Sequence, residues 1–472
     1  MSAAVPQPAS RPGILRDARR IASLAWPLFF GQLAVLAFST VDTVMTARYS
    51  AVDLAALAVG GAVYMTVFIG FMGVILAIGP IAGQLFGARQ LVETGKQLHQ
   101  AIWLALGLSV LGCLLLLFPH PFLALSHAEG EVADKVRGYL TGLAFALPSA
   151  LLFTAFRGFN TAVSRPKVVM ALQFGALVLK VPLNAVLVFG VDFATPLGML
   201  HVDARGAAGC GIATAIVMGC QWLIAWEILR RDPFYAAFGL HERFMSRPDR
   251  ASLMGLLRLG VPMGLSIGIE VTGFTFMAFF IARLGSTPVA GHQIAVNLVS
   301  IMFMMPLALA NATSTLVAQR IGAEDLRDAG RIGWHGLQLG VVVAAAMGGS
   351  VYFARESLLN AYTQNEVIIA AAMPLLAWVM LFHIADAAQT LASFTLRAYK
   401  MATAPVVIYA SAIWGVGLGG GYTLAFNMTG WTPDGLLGAQ GFWAAATVGL
   451  TLAALGLSGF LIWMLNQQRS KA

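Results

Sequence analysis

The chain reads as an all-α integral membrane protein, with twelve transmembrane helices in two six-helix lobes related by a parallel repeat about a pseudo-two-fold axis. Three observations predict this: apolar runs that recur from end to end, basic residues gathered on one side, and a likeness between the two halves. Of 472 residues, 58% are hydrophobic and 11% charged, whereas a soluble domain carries about 25% charge. Runs long enough to cross a hydrocarbon core of about 30 Å fall at 22–46, 54–80, 101–118, 139–160, 168–190, 207–229, 259–282, 289–317, 333–353, 367–395, 405–426 and 438–465. They are numbered here as the first to the twelfth span. Glycine (50 residues) and proline (19) are spread through them, as membrane helices tolerate. The connections are too short for a soluble catalytic domain, so the chemistry belongs inside the bilayer.

Basic residues set the orientation. Of 29 lysines and arginines, 22 fall on the side that holds both termini, 6 on the other, and Lys180 inside a helix. This is the positive-inside pattern. It implies a multi-pass protein of a cell inner membrane with cytoplasmic N- and C-termini, and it accounts for the net charge of +8 without a nucleic-acid partner. The first twenty residues, with Pro6, Pro8, Pro12 and four arginines, lack the apolar core and cleavage site of a signal peptide. The expected organisation is a cytoplasmic tail 1–20, an N-lobe 21–229, a basic linker 230–257, a C-lobe 258–466 and a tail 467–472. Cys113, Cys210 and Cys220 all lie in apolar segments and read as packing residues.

The repeat has an offset of about 235 residues. Ala25-Trp26-Pro27 opens the first span and Gly260-Val261-Pro262 the seventh. Gly83-Gln84-Leu85-Phe86-Gly87-Ala88 ends the second, and Ala318-Gln319-Arg320-Ile321-Gly322-Ala323 the eighth. Arg157-Gly158-Phe159-Asn160 and Arg397-Ala398-Tyr399-Lys400 follow the fourth and tenth. Six helices per half make both halves enter from the same side, which is a transporter architecture with its site near the midplane.

Three acidic residues lie at bilayer depth: Asp42, Glu270 and Asp386. An ionised side chain there costs about 3 kcal/mol on insertion scales. Such a carboxyl binds a cation, pairs with a base or keeps its proton. Glu270 is 12 residues past Arg258 and Asp386 is 11 before Arg397. At about 1.5 Å per residue both sit at one depth, where two carboxylates make a cation site, Na⁺ included, or a pair sharing a proton. In the tenth span His383, Asp386, Thr390, Ser393 and Arg397 form one polar stripe. Gly260, Gly264 and Gly268 form a packing stripe in the seventh. Gln293, Asn297 and Ser300, on one face of the eighth span, are expected hydrogen-bond partners for the carboxylates.

In the N-terminal half, Gln32, Ser39, Asp42, Thr43 and Thr46 line one face of the first span, and Gln173, Lys180 and Asn184 one face of the fifth. Lys180 is the only lysine at bilayer depth, and Asp42 is its expected partner. Pro27, Pro148, Pro182, Pro262, Pro306 and Pro374 mark static bends. The Met302-Phe303-Met304-Met305 run reads as packing or lipid contact.

At these residues the chain resembles a multidrug and toxic compound extrusion (MATE) transporter of the NorM type. The likeness rests on Val41-Asp42-Thr43-Val44-Met45, Gln84-Leu85-Phe86-Gly87-Ala88, Pro182-Leu183-Asn184, Glu270-Val271-Thr272, Ala290-Gly291-His292-Gln293, Asp386-Ala387-Ala388-Gln389 and Leu396-Arg397-Ala398-Tyr399-Lys400. The resemblance implies antiport of cationic, lipophilic drugs or dyes against Na⁺ or H⁺, with the cation on Glu270 and Asp386 and a coupling role for Asp42. One departure stands out. Where the family often carries asparagine in the fifth span, near Asn184, this chain has Lys180, and an ammonium beside Asp42 discourages a second cation there. A monomer with no resident cofactor, coupled to Na⁺ or H⁺, is expected. A flippase for lipid-linked or polysaccharide intermediates stays open as an alternative. An intramembrane enzyme built on His383 and Asp386 lacks a nucleophile motif, and a channel fits the lobe repeat less well.

Overall fold

The computed structural model describes residues 13–120, 122–123, 130–195, 198–242 and 245–471. Among them are 12 helices long and apolar enough to cross a membrane: Ile14–Tyr49, Ala51–Gly87, Leu91–Leu117, Gly130–Ala162, Pro166–Phe189, Gly206–Arg231, Arg250–Ala282, Ser286–Gly322, Leu326–Phe353, Glu366–Ala398, Thr403–Ala425 and Ala439–Gln467. Each matches one span expected from the sequence, and most run several residues further at their ends. In hydrocarbon a backbone amide has no water to bond, so the helix is the structure that satisfies every span from within. The second span is broken at Leu76–Ala77 into Ala51–Ile75 and Ile78–Gly87.

Smaller elements lie outside the spans. Strands β1 (Val191–Thr195) and β2 (Gly198–Val202) form an antiparallel hairpin that pairs Val191 with Val202; the all-α expectation did not include it. Pro233–Phe238 is a short 3₁₀ turn and Arg355–Tyr362 a short helix.

The chain divides into two compact units. Phe30–Gly264 forms the first, and Leu265 onward, with the first helix up to Phe29, forms the second. Both boundaries fall inside helices, not in the basic linker that the sequence marked. The helices begin earlier than expected because their ends are packed. The first begins at Ile14, inside the expected tail 1–20, and the seventh at Arg250, inside the expected linker 230–257. In the second unit Ile21, Ala25 and Leu28 pack into a core with Leu309, Val317, Ile332 and Leu391. Asp17, 1% exposed, holds that helix end: its carboxylate is 2.7 Å from His335 Nδ1 and 3.1 Å from Arg331 Nε. In the first unit the seventh helix lies so close to the second that a Cβ on Gly260 would strike the Val74 carbonyl. This is the small-residue packing of membrane helices. Arg11 and Arg243, two of the basic residues used for orientation, lie outside the described residues.

Asp53 is a further buried acid, outside the three that the sequence places at bilayer depth. It is 1% exposed, in the first turn of the second span, where Lys135 Nζ donates at 2.8 Å and Ala207 N–H at 2.8 Å. Gly206, at φ +51°, turns the chain against this carboxylate; a Cβ there would meet Asp53 Oδ1. Asp53→Ala is expected to lose about 2 kcal/mol, the cost of stranding the buried Ala207 N–H and unpairing Lys135, read as a lower Tm of the purified protein in detergent.

The 3₁₀ turn at Pro233–Phe238 is tied down by Asp232, whose carboxylate accepts from Phe234 N–H at 3.0 Å and Arg165 Nη1 at 2.7 Å. Burial works against the charged form, but those two donors outweigh it and hold the carboxyl below its ordinary range. A depressed folded pKa gives stability that is present above the unfolded value of about 3.9 and lost as pH falls through the folded one. Hydrogen exchange of residues 233–238, corrected for the intrinsic pH effect, should therefore lose protection selectively below pH ~4.

Candidate functional site

Each unit carries one cluster built around carboxylates at span depth, and the two are constructed differently. In the second unit, Glu270 from the seventh span and Asp386 from the tenth line one cavity, as their common depth predicted. The cavity is partly open, and its remaining walls are apolar: Phe274, Met277, Phe382, Ile413, Gly417, Leu418 and neighbours. Phe274 and Phe382 meet edge to face, 5.6 Å between centroids. The wall from the eleventh span is a π-helical stretch, Ala410–Gly419; π-helical turns inside α-helices are frequent at functional sites. Trp414 Nε1 in that stretch donates to the Ile269 carbonyl at 3.2 Å, next to Glu270.

Asp386 is 3% exposed. Its Oδ1 accepts from Gln389 Nε2 at 3.0 Å, and the same nitrogen reaches Thr390 Oγ1 at 3.1 Å. Gln389 Oε1 in turn accepts from the Tyr409 hydroxyl. One helix turn thus fixes the carboxylate, and the eleventh span fixes the amide that holds it. Glu270 is half-buried. Among the described residues it makes no hydrogen bond and no ion pair within 4 Å, although Asp386 and Arg397 lie within electrostatic reach. The pair therefore faces an aromatic-walled cavity with no ammonium bound to it. Chemically, such a pair takes up a cation or a proton.

The rest of the predicted stripe is buried, with His383 at 0%, Ser393 at 1% and Arg397 at 5% exposure. Neither ring nitrogen of His383 has a hydrogen-bond partner among the described residues. The expected partners from the eighth span are not there. Gln293 and Asn297 are exposed, Asn297 Oδ1 accepts from the Tyr362 hydroxyl at 2.6 Å, and Ser300 returns its hydrogen to the Val296 carbonyl. Their face of the helix points away from the cavity lining.

In the first unit, Lys180 and Asp42 come together as the sequence predicted. Lys180 Nζ is 3.0 Å from Asp42 Oδ1, donates to Thr214 Oγ1 and lies 3.4 Å from the Cys210 carbonyl. Asn184 Nδ2 donates to the same carboxylate oxygen at 2.5 Å. Lys180 and Asn184 are 0% exposed and Asp42 9%. Thr46 Oγ1 lies 3.3 Å from Cys210 Sγ and closes the cluster.

Further residues complete each cluster. Gln389 is one turn past Asp386 and was legible by spacing. Tyr409, Thr214 and the Cys210 carbonyl come from other helices, and no local pattern reports them.

Twelve spans in two units, each with a buried carboxylate cluster, define a polytopic membrane protein of the transporter class. The chain belongs to the MatE family, whose family model matches twice, at residues 27–186 and 262–423. The two matches begin 235 residues apart, the offset of the internal repeat. The chain is 38% identical to "Probable multidrug resistance protein NorM" of Aromatoleum aromaticum, over 98% of this chain and 97% of that one. It is 34% identical to "Multidrug resistance protein NorM" of Vibrio cholerae, over 96% of each. Its fold is similar to the eukaryotic MATE transporter AtDTX14 (TM-score 0.81, 18% identity, 96% of each chain). It is also similar to an outward-facing multidrug resistance MATE family transporter of the MOP superfamily (TM-score 0.84, 17% identity, 97% of this chain and 98% of that one).

Gln389→Ala removes the donor to Asp386 and strands the Tyr409 hydroxyl. It should cost about 1–3 kcal/mol of stability, and Tyr409→Phe in the same background should restore part of it, read by thermal unfolding of the single and double variants.

Proposed function

We propose that this protein is a secondary multidrug efflux transporter, exporting cationic, lipophilic drugs or dyes in antiport with Na⁺ or H⁺ by alternating access. The observation that carries this reading is the cavity shared by Glu270 and Asp386. Two carboxylates without a bound ammonium supply the charge for a coupling cation, and the aromatic walls add the ring faces that attract organic cations. On this reading Asp386, oriented by Gln389, and Glu270 hold the coupling ion, with Arg397 as a nearby positive charge that favours the pair's release of it. Family membership and the names of the relatives support drug export; they do not choose between Na⁺ and H⁺. The protein is read as a monomer of a cell inner membrane with both termini in the cytoplasm.

A flippase for anionic lipid-linked intermediates would need a basic cavity. The one buried lysine of the spans among the described residues is paired with Asp42, and the cavity of the second unit is acidic, so the antiport reading is favoured.

The test is ethidium transport in proteoliposomes under a Na⁺ gradient and a pH gradient imposed separately. One gradient should drive transport in the wild type. Glu270→Gln and Asp386→Asn should each abolish it while the protein remains inserted and monodisperse. Transport that survives both changes rejects the coupling site, and a wild type that moves dye under neither gradient rejects antiport.

A further inference from the structure

The cluster in the first unit is built like a cation site, yet it already holds a cation. An ammonium has three hydrogens to donate, and three acceptors surround Lys180 Nζ: Asp42 Oδ1 at 3.0 Å, Thr214 Oγ1, and the Cys210 carbonyl at 3.4 Å. Every donor is used, and the side chain is 0% exposed. A carboxylate, a hydroxyl and a backbone carbonyl are also the ligands that a hard cation takes from a protein. A fourth oxygen lies in the same cluster. Asn184 spends its amide nitrogen on Asp42 at 2.5 Å, while its Oδ1 is buried and has no hydrogen-bond partner among the described residues. A buried acceptor left without a donor is uncommon and needs an explanation. Here it is an oxygen in excess of what the ammonium can serve.

Phe38 closes the apolar side, its ring centroid 5.9 Å from Nζ. The pair differs from the acids of the second unit in one physical respect. Asp42 is neutralised by a base covalently attached to the chain, whereas Glu270 and Asp386 have no ion pair within 4 Å among the described residues. A tethered ammonium at contact distance has a very high effective concentration, so a mobile cation must displace it against that advantage and leave a buried charge unpaired.

We propose that Lys180 is a resident cation: its ammonium fills an oxygen cage on Asp42, so the first unit takes up no mobile cation, and removing the ammonium opens a site for a small monovalent cation, Na⁺ or a proton. Lys180 is then the residue that sets how many coupling ions the protein carries, confining them to the second unit. This stands on the geometry of the first unit alone and goes beyond the coupling site proposed for Glu270 and Asp386.

The experiment uses a membrane-permeant carbodiimide, which modifies buried carboxyls in their protonated form, on the full-length protein in liposomes. Labelled residues are mapped by mass spectrometry with and without Na⁺, and ²²Na⁺ binding is measured on the same samples. In the wild type and in Lys180→Arg, which keeps a cation in place, Asp42 should stay unlabelled and Na⁺ should change nothing there. In Lys180→Met, Asp42 labelling should rise by about tenfold or more, the effect of losing a buried counter-charge. Suppression of that labelling by Na⁺, with new ²²Na⁺ binding that Asp42→Asn removes, identifies a Na⁺ site; labelling insensitive to Na⁺ identifies a proton site.

Two results overturn the proposal. One is Asp42 labelling in the wild type that Na⁺ suppresses, since a mobile cation then reaches the cage beside Lys180. The other is a folded Lys180→Met protein in which Asp42 is neither labelled nor able to bind ²²Na⁺. The wild-type arm decides even if Lys180→Met fails to fold. Failure of the second-unit reading registers separately, as wild-type Glu270 and Asp386 that neither take up label nor bind an ion.

Discussion

A carboxylate in hydrocarbon must be neutralised, and the two units of this protein meet that requirement in two ways. The insertion cost of an isolated charge, about 3 kcal/mol or more, is comparable to a sizeable part of a domain's net stability. Asp42 is met by Lys180 at 3.0 Å, an internal ion pair that is complete without any solute. Asp386 is met by an amide, Gln389, which orients the carboxylate without cancelling its charge, and Glu270 has no hydrogen bond at all among the described residues. The first arrangement is closed. The second leaves a charge for something mobile to satisfy. Repeat-related halves have thus taken different electrostatic roles on one helical scaffold.

The scaffold explains how the open arrangement persists. Gln389 could swing away from Asp386, but the Tyr409 hydroxyl holds its oxygen and Thr390 shares its nitrogen. Tyr409 is delivered by the eleventh span just before the π-helical stretch Ala410–Gly419, and that stretch forms part of the cavity wall through Ile413, Gly417 and Leu418. The irregular turn, the amide and the acid form a chain of contacts. Divergence of the halves shows again at the arginines that end the fourth and tenth spans. Arg157 donates to the Met72 thioether at 3.4 Å, whereas Arg397 lies over the Phe394 ring at 4.2 Å and within electrostatic reach of Glu270.

Much of this was legible in the sequence because membrane physics writes it there. Apolar length marks the twelve spans, and charge at depth marks Asp42, Glu270, Asp386 and Lys180. Residue counting from Arg258 and Arg397 placed two of the acids in one layer, and the cavity bears that out. What was illegible depends on helix rotation and on neighbours distant in sequence. Gln293 and Asn297 had the right residue types on one helix face, but that face is exposed, because periodicity identifies a stripe without naming what it meets. Asp53 sits at a helix start, where acids are common and solvated. Only Lys135 and the turn at Gly206, 82 and 153 residues away by number, make it a buried anchor. The unit boundaries inside two helices likewise follow from tertiary packing.

The central claim is that the mobile cation belongs to Glu270 and Asp386 and not to Asp42. The most direct measurement is the release of bound cation, ²²Na⁺ or protons, from purified protein on addition of saturating ethidium. It would be made on the wild type, on Glu270→Gln/Asp386→Asn, and on Asp42→Asn/Lys180→Met, which removes both charges of the first unit together and leaves no buried charge unpaired. The account predicts release in the wild type, release retained in the Asp42/Lys180 variant and none in the Glu270/Asp386 variant. Release that survives loss of Glu270 and Asp386 but disappears with Asp42 and Lys180 would contradict it.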